Sequence, residues 1–93
     1  MAHQIEIRYC TQCRWLTRSA WMAQELLSTF ESDLASVALC PATGGLFEVW
    51  VDHARIWSRK EAGRFPEIDE LKRAVRDVVA PGRDMGHIDR ENG

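Results

Sequence analysis

The stretch YCTQCRW, residues 9–15, decides the predicted fold because the hydrophobic pattern changes on either side of it. Before it, residues 3–9 (HQIEIRY) alternate apolar and polar side chains, a period of two that predicts a β-strand. After it, apolar side chains in residues 14–30 recur at the helical period and predict an amphipathic helix. The two cysteines of the stretch, Cys10 and Cys13, therefore lie where a strand gives way to a helix.

Three further strands and one further helix are predicted downstream. The apolar run ASVALC, residues 35–40, is followed by turn residues and predicts a second strand. Residues 46–51 (LFEVWV) and 54–58 (ARIWS) are separated by only two residues, which indicates an antiparallel hairpin. Pro66 fits the first turn of a second helix, which Pro81-Gly82 ends.

The predicted order is β-α-β-β-β-α, which indicates an α/β fold. The first β-α-β unit forms a parallel pair with a right-handed crossover, and the hairpin adds antiparallel strands. We therefore predict a thioredoxin-like domain over residues 1–80, with a mixed four-stranded sheet and two helices. Residues 81–93 have no hydrophobic period and few apolar side chains, so we expect a flexible C-terminal tail.

Composition excludes several classes of function. A chain of 93 residues is expected to form one domain. Its net charge of −2 is spread along the chain, so nothing indicates a nucleic-acid partner. No apolar run approaches the roughly 20 residues that span a bilayer, and the N-terminus does not resemble a secretory signal. We therefore expect a cytoplasmic protein without a membrane or nucleic-acid partner.

The chain has three cysteines, an odd number that argues against a secreted disulfide scaffold. In a reducing compartment, a close cysteine pair is more often catalytic or metal-binding than a permanent disulfide. Structural zinc takes four cysteine or histidine ligands, and no second closely spaced ligand pair is present. We expect no metal, although zinc and two inert thiols stay open as alternatives. The candidates to complete a zinc site are Cys40, His3, His53 and His87.

The predicted placement of the cysteine pair favours redox chemistry. Cys10 is expected to leave the sheet and Cys13 to lie at the start of the helix. The free N–H groups there stabilise an anion, which lowers a thiol pKa from its usual value of about 8.5. Because the thiolate is the nucleophile, we expect Cys10 and Cys13 to be the catalytic residues.

Several other residues are expected to flank the pair. Trp15 is either a platform beside the reactive sulfur or a core residue, and its position on the apolar helix face favours the core. Cys40 lies either near the pair or in the core as a small apolar residue, which we favour. The substrate-flanking candidates are Thr11, Gln12, Trp15, Cys40, Thr43, Gly44 and Gly45.

The chain resembles the selenoprotein W-like (SelT/SelW/SelH, or Rdx) family in a bacterial, cysteine-containing form. The resemblance covers almost the whole chain and rests on YCTQC, AWMAQELLSTF, TGGLFEV, WSRKEAGRFPE followed by LKRAVRD, and MGHIDR. It implies a thioredoxin-like fold and a thiol-based redox role without a cofactor. It also implies glutathione as the candidate reducing partner and co-substrate.

The resemblance and thioredoxin logic disagree about which cysteine attacks first. Selenocysteine in the family's selenoproteins occupies the second position of the motif, which is Cys13 here. Thioredoxin logic selects the first and more exposed cysteine, which is Cys10. Both assignments stay open at this point.

Two surface features bear on partners. Trp21 lies on the polar helix face, so it is either covered by other parts of the chain or contacts a partner such as a second copy in a weak homodimer. Arg59, Lys60 and Arg64 predict a basic loop that is either solvated or binds the carboxylates of glutathione.

The sequence as a whole predicts a thiol-disulfide oxidoreductase that acts on protein or small-molecule thiols and disulfides. One cysteine of the pair attacks and the other resolves the mixed disulfide. The alternative is a non-catalytic redox sensor in which the state of the pair controls partner binding.

Overall fold

The computed structural model of the protein describes residues 2–86 and 88, and within them it has four strands and three helices. The α/β class and the mixed four-stranded sheet are as predicted. The predicted number of helices is wrong by one, because a short helix follows the last strand. The elements are β1 (His3–Cys10), α1 (Leu16–Thr29), β2 (Leu34–Ala42), β3 (Phe47–Val51), β4 (Ala54–Ser58), α2 (Arg59–Ala62) and α3 (Ile68–Val79).

The strand order in the sheet is β2-β1-β3-β4. Strands β1 and β2 are parallel, with Cys10 opposite Ala42. Strands β1 and β3 are antiparallel, with Tyr9 opposite Phe47. The ends of β1 and β2 and the beginning of β3 therefore meet at one edge of the sheet, which brings the cysteine motif beside the loop between β2 and β3.

The core lies on one side of the sheet. Ile5, Ile7 and Tyr9 of β1 are buried in one core cluster with residues of α1 and α3, and the alternating pattern of residues 3–9 is therefore a true strand pattern. The side chains between them are exposed or half-buried on the other side of the sheet. The core comprises Ile5, Ile7, Tyr9, Met22, Ala23, Leu26, Phe30, Leu34, Phe47, Val49, Val51, Leu71 and Val75.

The hairpin between β3 and β4 has the predicted two-residue turn. Asp52 has a positive φ of 54°, and its carboxylate accepts a hydrogen bond from the Gln4 backbone N–H at 3.0 Å. It also contacts His3 Nδ1 at 2.8 Å. The Gln4 N–H and then His3 hold the pKa of Asp52 below its usual range. Contacts with β1 therefore stabilise a turn whose own sequence is a weak signal.

Helix boundaries differ from the predictions in two places. Helix α1 begins at Leu16, two residues after the predicted start. Helix α3 begins after Glu67, so Pro66 lies ahead of the helix and not in its first turn. Glu67 and Glu70 form a capping box, in which each side chain accepts a hydrogen bond from the backbone N–H of the other. This reciprocal capping sets the start of the helix.

The extra helix α2 replaces part of the predicted basic loop. The Ser58 side chain accepts a hydrogen bond from the Glu61 N–H and caps its first turn. Gly63 ends the helix with a φ of 78°. Arg59 and Lys60 are therefore helical, and they follow β4 directly. Four residues are too few for a hydrophobic period, so only the capping residues could have predicted this helix.

The segment after α3 contacts the domain where the structure describes it. The Arg83 guanidinium binds the Asp33 carboxylate at 2.7 and 3.1 Å, and Met85 packs against the core. The expected domain boundary at residue 80 and the flexibility of residues 81–93 stay predictions. His87, one of the zinc candidates, lies outside the described residues. Over residues 2–86 and 88, none of the helices combines the length and apolarity needed to cross a membrane.

Candidate active site

The cysteine pair joins a buried sulfur to an exposed one. Cys10 is the last residue of β1 and is 1% exposed, whereas Cys13 is exposed in the turn that follows. Their sulfur atoms lie 2.6 Å apart, so a small side-chain movement would bring them to the bond length of about 2.05 Å. The expectation that Cys10 leaves the sheet and is the more exposed cysteine is wrong, because β1 continues through it.

The two thiols have opposite acidities. A hydrogen bond from the Cys13 thiol lowers the pKa of Cys10, and the backbone N–H groups of Gly45, Cys13 and Gln12 lower it further against the opposing effect of burial. Cys10 in turn raises the pKa of Cys13. The first proton therefore leaves the pair easily and the second is retained, so the two thiols titrate as a unit.

The groups that stabilise the thiolate are not those predicted from the helix. Cys13 precedes the first residue of α1 by three positions, and the hydrogen bonds to the Cys10 sulfur come from the CxxC turn and the β2–β3 loop. The Thr11 N–H donates to the Ala42 carbonyl at 3.1 Å, which fastens the turn to the end of β2. The backbone amides of this turn and of the loop thus supply the stabilisation that we had assigned to the helix start.

The loop between β2 and β3 meets the pair at Gly45, whose backbone N–H is hydrogen-bonded to the Cys10 sulfur. The substrate-flanking role of Thr43, Gly44 and Gly45 stays a prediction. Gly44 and Gly45 have φ values of 71° and 75°, the left-handed region in which glycine is favoured. This conformation presents the Gly45 N–H to both sulfur atoms. The loop also borders a cavity of about 500 Å³, which is lined by Thr43, Gly44, Gly45, Leu46, Arg59 and Lys60.

An aromatic cluster lies beside this cavity. Trp15 is half-buried and packed against the core, as its position on the helix predicted. Its ring meets that of Phe65 edge-on at a centroid distance of 4.9 Å, and Phe65 meets Phe47 in the same way. The Arg59 guanidinium lies 5.0 Å from the Trp15 ring and 5.1 Å from the Phe65 ring. The sequence did not indicate that these residues, distant along the chain, would meet.

Cys40 is neither a core residue nor a partner for the pair. It is half-buried and lies outside the core, so the interpretation that we favoured is wrong. In the sheet it pairs with Arg8, two positions before the pairing of Ala42 with Cys10. Strand geometry places its Cα about 8 Å from that of Cys10, beyond disulfide range.

The remaining candidates are separated from the pair or engaged elsewhere. Arg64 binds the Glu70 carboxylate at 2.8 Å, so a substrate carboxylate would have to displace this ion pair. Trp21 is 47% exposed, and the interpretation that other parts of the chain cover it is wrong. No group of three or more His, Cys, Asp or Glu side chains within residues 2–86 and 88 is placed to hold a metal ion.

Comparisons with known proteins agree with this fold. The sequence model of the Rdx family matches residues 4–77. The chain is similar to the crystal structure of a selenoprotein W-related protein from Vibrio cholerae, with 52% identity and a TM-score of 0.83, over 85% of this chain and 99% of that one. It is also similar to a protein from Bordetella parapertussis, with 56% identity and a TM-score of 0.81, over 83% and 98% of the two chains. No curated protein matches the chain.

Proposed function

The chain belongs to the Rdx family, and from the geometry of its cysteine pair we propose that it is a thiol-disulfide oxidoreductase. One observation carries the proposal: the exposed Cys13 sulfur lies 2.6 Å from a buried Cys10 sulfur whose pKa is lowered. The exposed sulfur is accessible to a substrate, and the lowered pKa of the buried one favours its thiolate form. Access and thiolate character are the two requirements for thiol exchange.

Cys13 makes the first attack in this mechanism. Its sulfur attacks one sulfur of a substrate disulfide, and its proton passes to the Cys10 thiolate at 2.6 Å. The substrate S–S bond breaks, the leaving sulfur departs as a thiolate with the electron pair, and Cys13 forms a mixed disulfide. Cys10 is thus the base in this step. The assignment agrees with the family pattern, in which the second position of the motif holds selenocysteine.

Cys10 resolves the mixed disulfide in the second step. After losing its proton to solvent, its thiolate attacks the Cys13 sulfur, and the remaining half of the substrate leaves as a second thiolate. Two electrons have then passed from the cysteine pair to the substrate, and Cys10 and Cys13 are joined in a disulfide. Two thiol molecules can restore the pair by the reverse reaction, becoming a disulfide themselves.

The partners in this proposal are protein or small-molecule thiols and disulfides, with glutathione as the reductant. The cysteine pair carries the electrons, so the reaction requires no cofactor. A cytoplasmic location belongs to the proposal because reducing systems in that compartment keep such pairs in the thiol form.

Serine variants of the pair test the order of attack. Cys10→Ser keeps the exposed nucleophile but lacks the resolving thiol, so it should react with a disulfide and stop at the mixed disulfide. Cys13→Ser keeps only the buried thiol of the pair, and the reaction of that thiol should be at least about tenfold slower because a buried thiol is poorly accessible. Mass spectrometry of the intact protein measures both results, with Cys40→Ser as the control.

The opposite pattern, with trapping by Cys13→Ser alone, would reverse the roles of the two cysteines. If the unmodified chain and both variants all fail to react with disulfides, the oxidoreductase proposal itself fails.

A second candidate function is a redox sensor without turnover. The exposure of Trp21 favours it, because a large aromatic side chain open to solvent on α1 suits contact with a partner or with a second copy in a weak homodimer. An assay with glutathione and a disulfide substrate separates the two. Repeated turnover supports the enzyme, whereas oxidation that changes only binding through Trp21 supports the sensor.

A further inference from the structure

Strand β2 forms an edge of the sheet, and its outer side pairs with no strand within residues 2–86 and 88. None of its nine residues, Leu34–Ala42, carries a charge, and its pairing with β1 is regular over residues 36–42. Proteins usually protect an edge strand with charged side chains, a bulge or a short length, because free backbone groups can pair with another chain. Strand β2 is long, uncharged and regular over most of its length.

Strand β4, the opposite edge of the sheet, is protected in each of these ways. It has only five residues, and a register shift interrupts its pairing with β3. Its charged residue, Arg55, pairs with Glu48 and Glu61. The contrast between the two edges indicates that the β2 edge is open to a partner.

The hydrogen bonds at the end of β2 show which of its backbone groups point outward. The Ala42 carbonyl accepts a hydrogen bond from the Thr11 N–H at 3.1 Å, so the backbone groups of Ala42 point toward β1. Because these groups alternate in direction along a strand, those of Val37, Leu39 and Pro41 point away from β1. Pro41 fits this assignment, since a proline in an edge strand lies where its missing N–H would face solvent. Val37 and Leu39 therefore offer donors and acceptors to an added strand.

An apolar flank of α1 adjoins the same edge. Leu16 and Leu27 are 50% and 42% exposed. Helix geometry places them about 20° apart around the axis, with Glu25 about 180° from Leu16. Glu25 binds Lys72 of α3, and α3 contacts β4 whereas α1 contacts β1 and β2. The flank that carries the two leucines therefore faces away from α3, toward the outer edge of β2.

We propose that a second copy of the chain occupies this surface, with the two β2 strands antiparallel about a two-fold axis at Ala38. Val37 then lies opposite Leu39 of the second copy, and each such pair exchanges both backbone hydrogen bonds. The two sheets join into one, with both α1 helices on the same face. An α1 axis above β1 and β2 puts the two helices two strand spacings apart, about 9.5 Å, which matches the 8–10 Å of packed helices.

A second copy fits this surface better than a single added strand does. A lone strand would pair with β2 but leave Leu16 and Leu27 in solvent, whereas the symmetric copy covers both the edge and the flank. Trp21 lies about 140° from Leu16 around the helix axis, so it is outside this interface. The proposed dimer therefore differs from one formed through Trp21, and the cysteine pairs lie at opposite ends of its joined sheet.

An introduced cysteine tests the register. The two-fold axis at Ala38 places Ser36 opposite Cys40 of the second copy in a non-hydrogen-bonded pair, in which the Cα atoms are about 4.5 Å apart and within disulfide range. Ser36→Cys treated with diamide should therefore give a dimer linked through Cys40, which peptide mass mapping identifies. Adding Cys40→Ser should abolish the link. Ala54→Cys, at an exposed position on the opposite edge, is the matched control and should not link.

Sedimentation velocity of the full chain under reducing conditions measures the association. We expect the mass to rise from monomer to dimer between about 1 and 100 μM, the range of a modest interface. Ala38→Lys places two like charges at the two-fold axis and should weaken the dimer at least about tenfold. Ala54→Lys is the control and should leave the association unchanged, with circular dichroism to check that both variants are folded.

A chain that stays monomeric at about 500 μM would overturn the inference and make an extended segment of another protein the better occupant of the edge. A dimer that persists in Ala38→Lys but is lost in Trp21→Ala would also overturn it, because the interface would then lie on the other face of α1. Equally fast linking of Ser36→Cys and Ala54→Cys would contradict the register. The oxidoreductase proposal does not depend on any of these results.

Discussion

At the scale of single residues, Cys10 and Cys13 divide two properties between them. The lowered pKa belongs to the buried sulfur of Cys10, whereas solvent access belongs to Cys13. A hydrogen bond between the two sulfur atoms connects these properties. In the proposed mechanism Cys13 must lose a proton when it attacks, and Cys10 can accept that proton. Neither thiol would have the proposed reactivity without its neighbour.

Replacing Cys13 tests this dependence. In Cys13→Ala we expect the pKa of Cys10 to rise, because the hydrogen bond that contributes most to its lowered value is lost. Thiolate absorbance at 240 nm against pH measures the change, in a Cys40→Ser background that removes the third thiol. Cys13→Ser is the control, since its hydroxyl can still donate and the rise should be smaller. An unchanged Cys10 titration in Cys13→Ala would mean that the backbone amides suffice.

At the scale of elements, the loop between β2 and β3 shapes the site. Its two glycines adopt successive left-handed conformations, and one of them presents its N–H to the cysteine sulfurs. The parallel pairing of β1 with β2 sets the position of this loop. The register of β1 and β2 therefore determines where the loop lies relative to the cysteine sulfurs. Through the Gly45 N–H, this position affects the pKa of Cys10.

A substitution at Gly45 tests the conformation of this loop. Nothing lies within 4 Å of a Cβ added there, so the cost of Gly45→Ala comes from the backbone alone. We expect the free energy of unfolding to fall by about 1 kcal/mol, the usual cost of a left-handed conformation for alanine. Urea unfolding followed by circular dichroism measures it. Gly45→Asn should cost less because asparagine tolerates this conformation, and equal stability of the alanine variant would contradict the positive φ.

At the scale of the whole molecule, polar contacts join parts that are distant in sequence. Arg83 binds Asp33 across 50 positions, and Lys72 binds Glu25 across 47. Glu25 lies on α1 and Asp33 follows that helix, whereas Lys72 lies on α3 and Arg83 follows it. These contacts thus tie the C-terminal part of the described chain to the first helix.

Carboxylates that are paired in the folded protein predict a loss of stability in acid. Arg83 lowers the pKa of Asp33, Arg64 lowers that of Glu70, and the Gln4 N–H and His3 lower that of Asp52. Each folded pKa lies below the unfolded value of about 4, so the unfolded chain binds more protons as the pH falls. The contribution of these groups is complete above about pH 5 and is lost as the pH drops through the folded pKa values.

Urea midpoints at pH 7 and pH 3 measure this loss. We expect a lower midpoint at pH 3, and a smaller difference between the two pH values in Asp33→Asn, which cannot ionise. Equal midpoints in the unmodified protein would contradict the linkage.

Residue patterns along the chain were sufficient to predict the four strands, the two long helices and the cysteine motif between the first strand and first helix. Period-two and helical hydrophobic patterns and turn residues are local properties, so each element could be inferred from its own segment. Even the proximity of the glycine loop to the cysteines followed from parallel strands whose ends share one edge of the sheet.

Tertiary structure decided the properties that make the pair a site. Three of these properties depend on segments that are separate in sequence. They are the burial of Cys10, the hydrogen bond from the Gly45 N–H to its sulfur, and the contact of the Arg59 guanidinium with the rings of Trp15 and Phe65. Such contacts depend on the register of the sheet and on the packing of loops against it. Exposure and pKa are set by everything that surrounds a side chain, and most of those surroundings come from other parts of the chain.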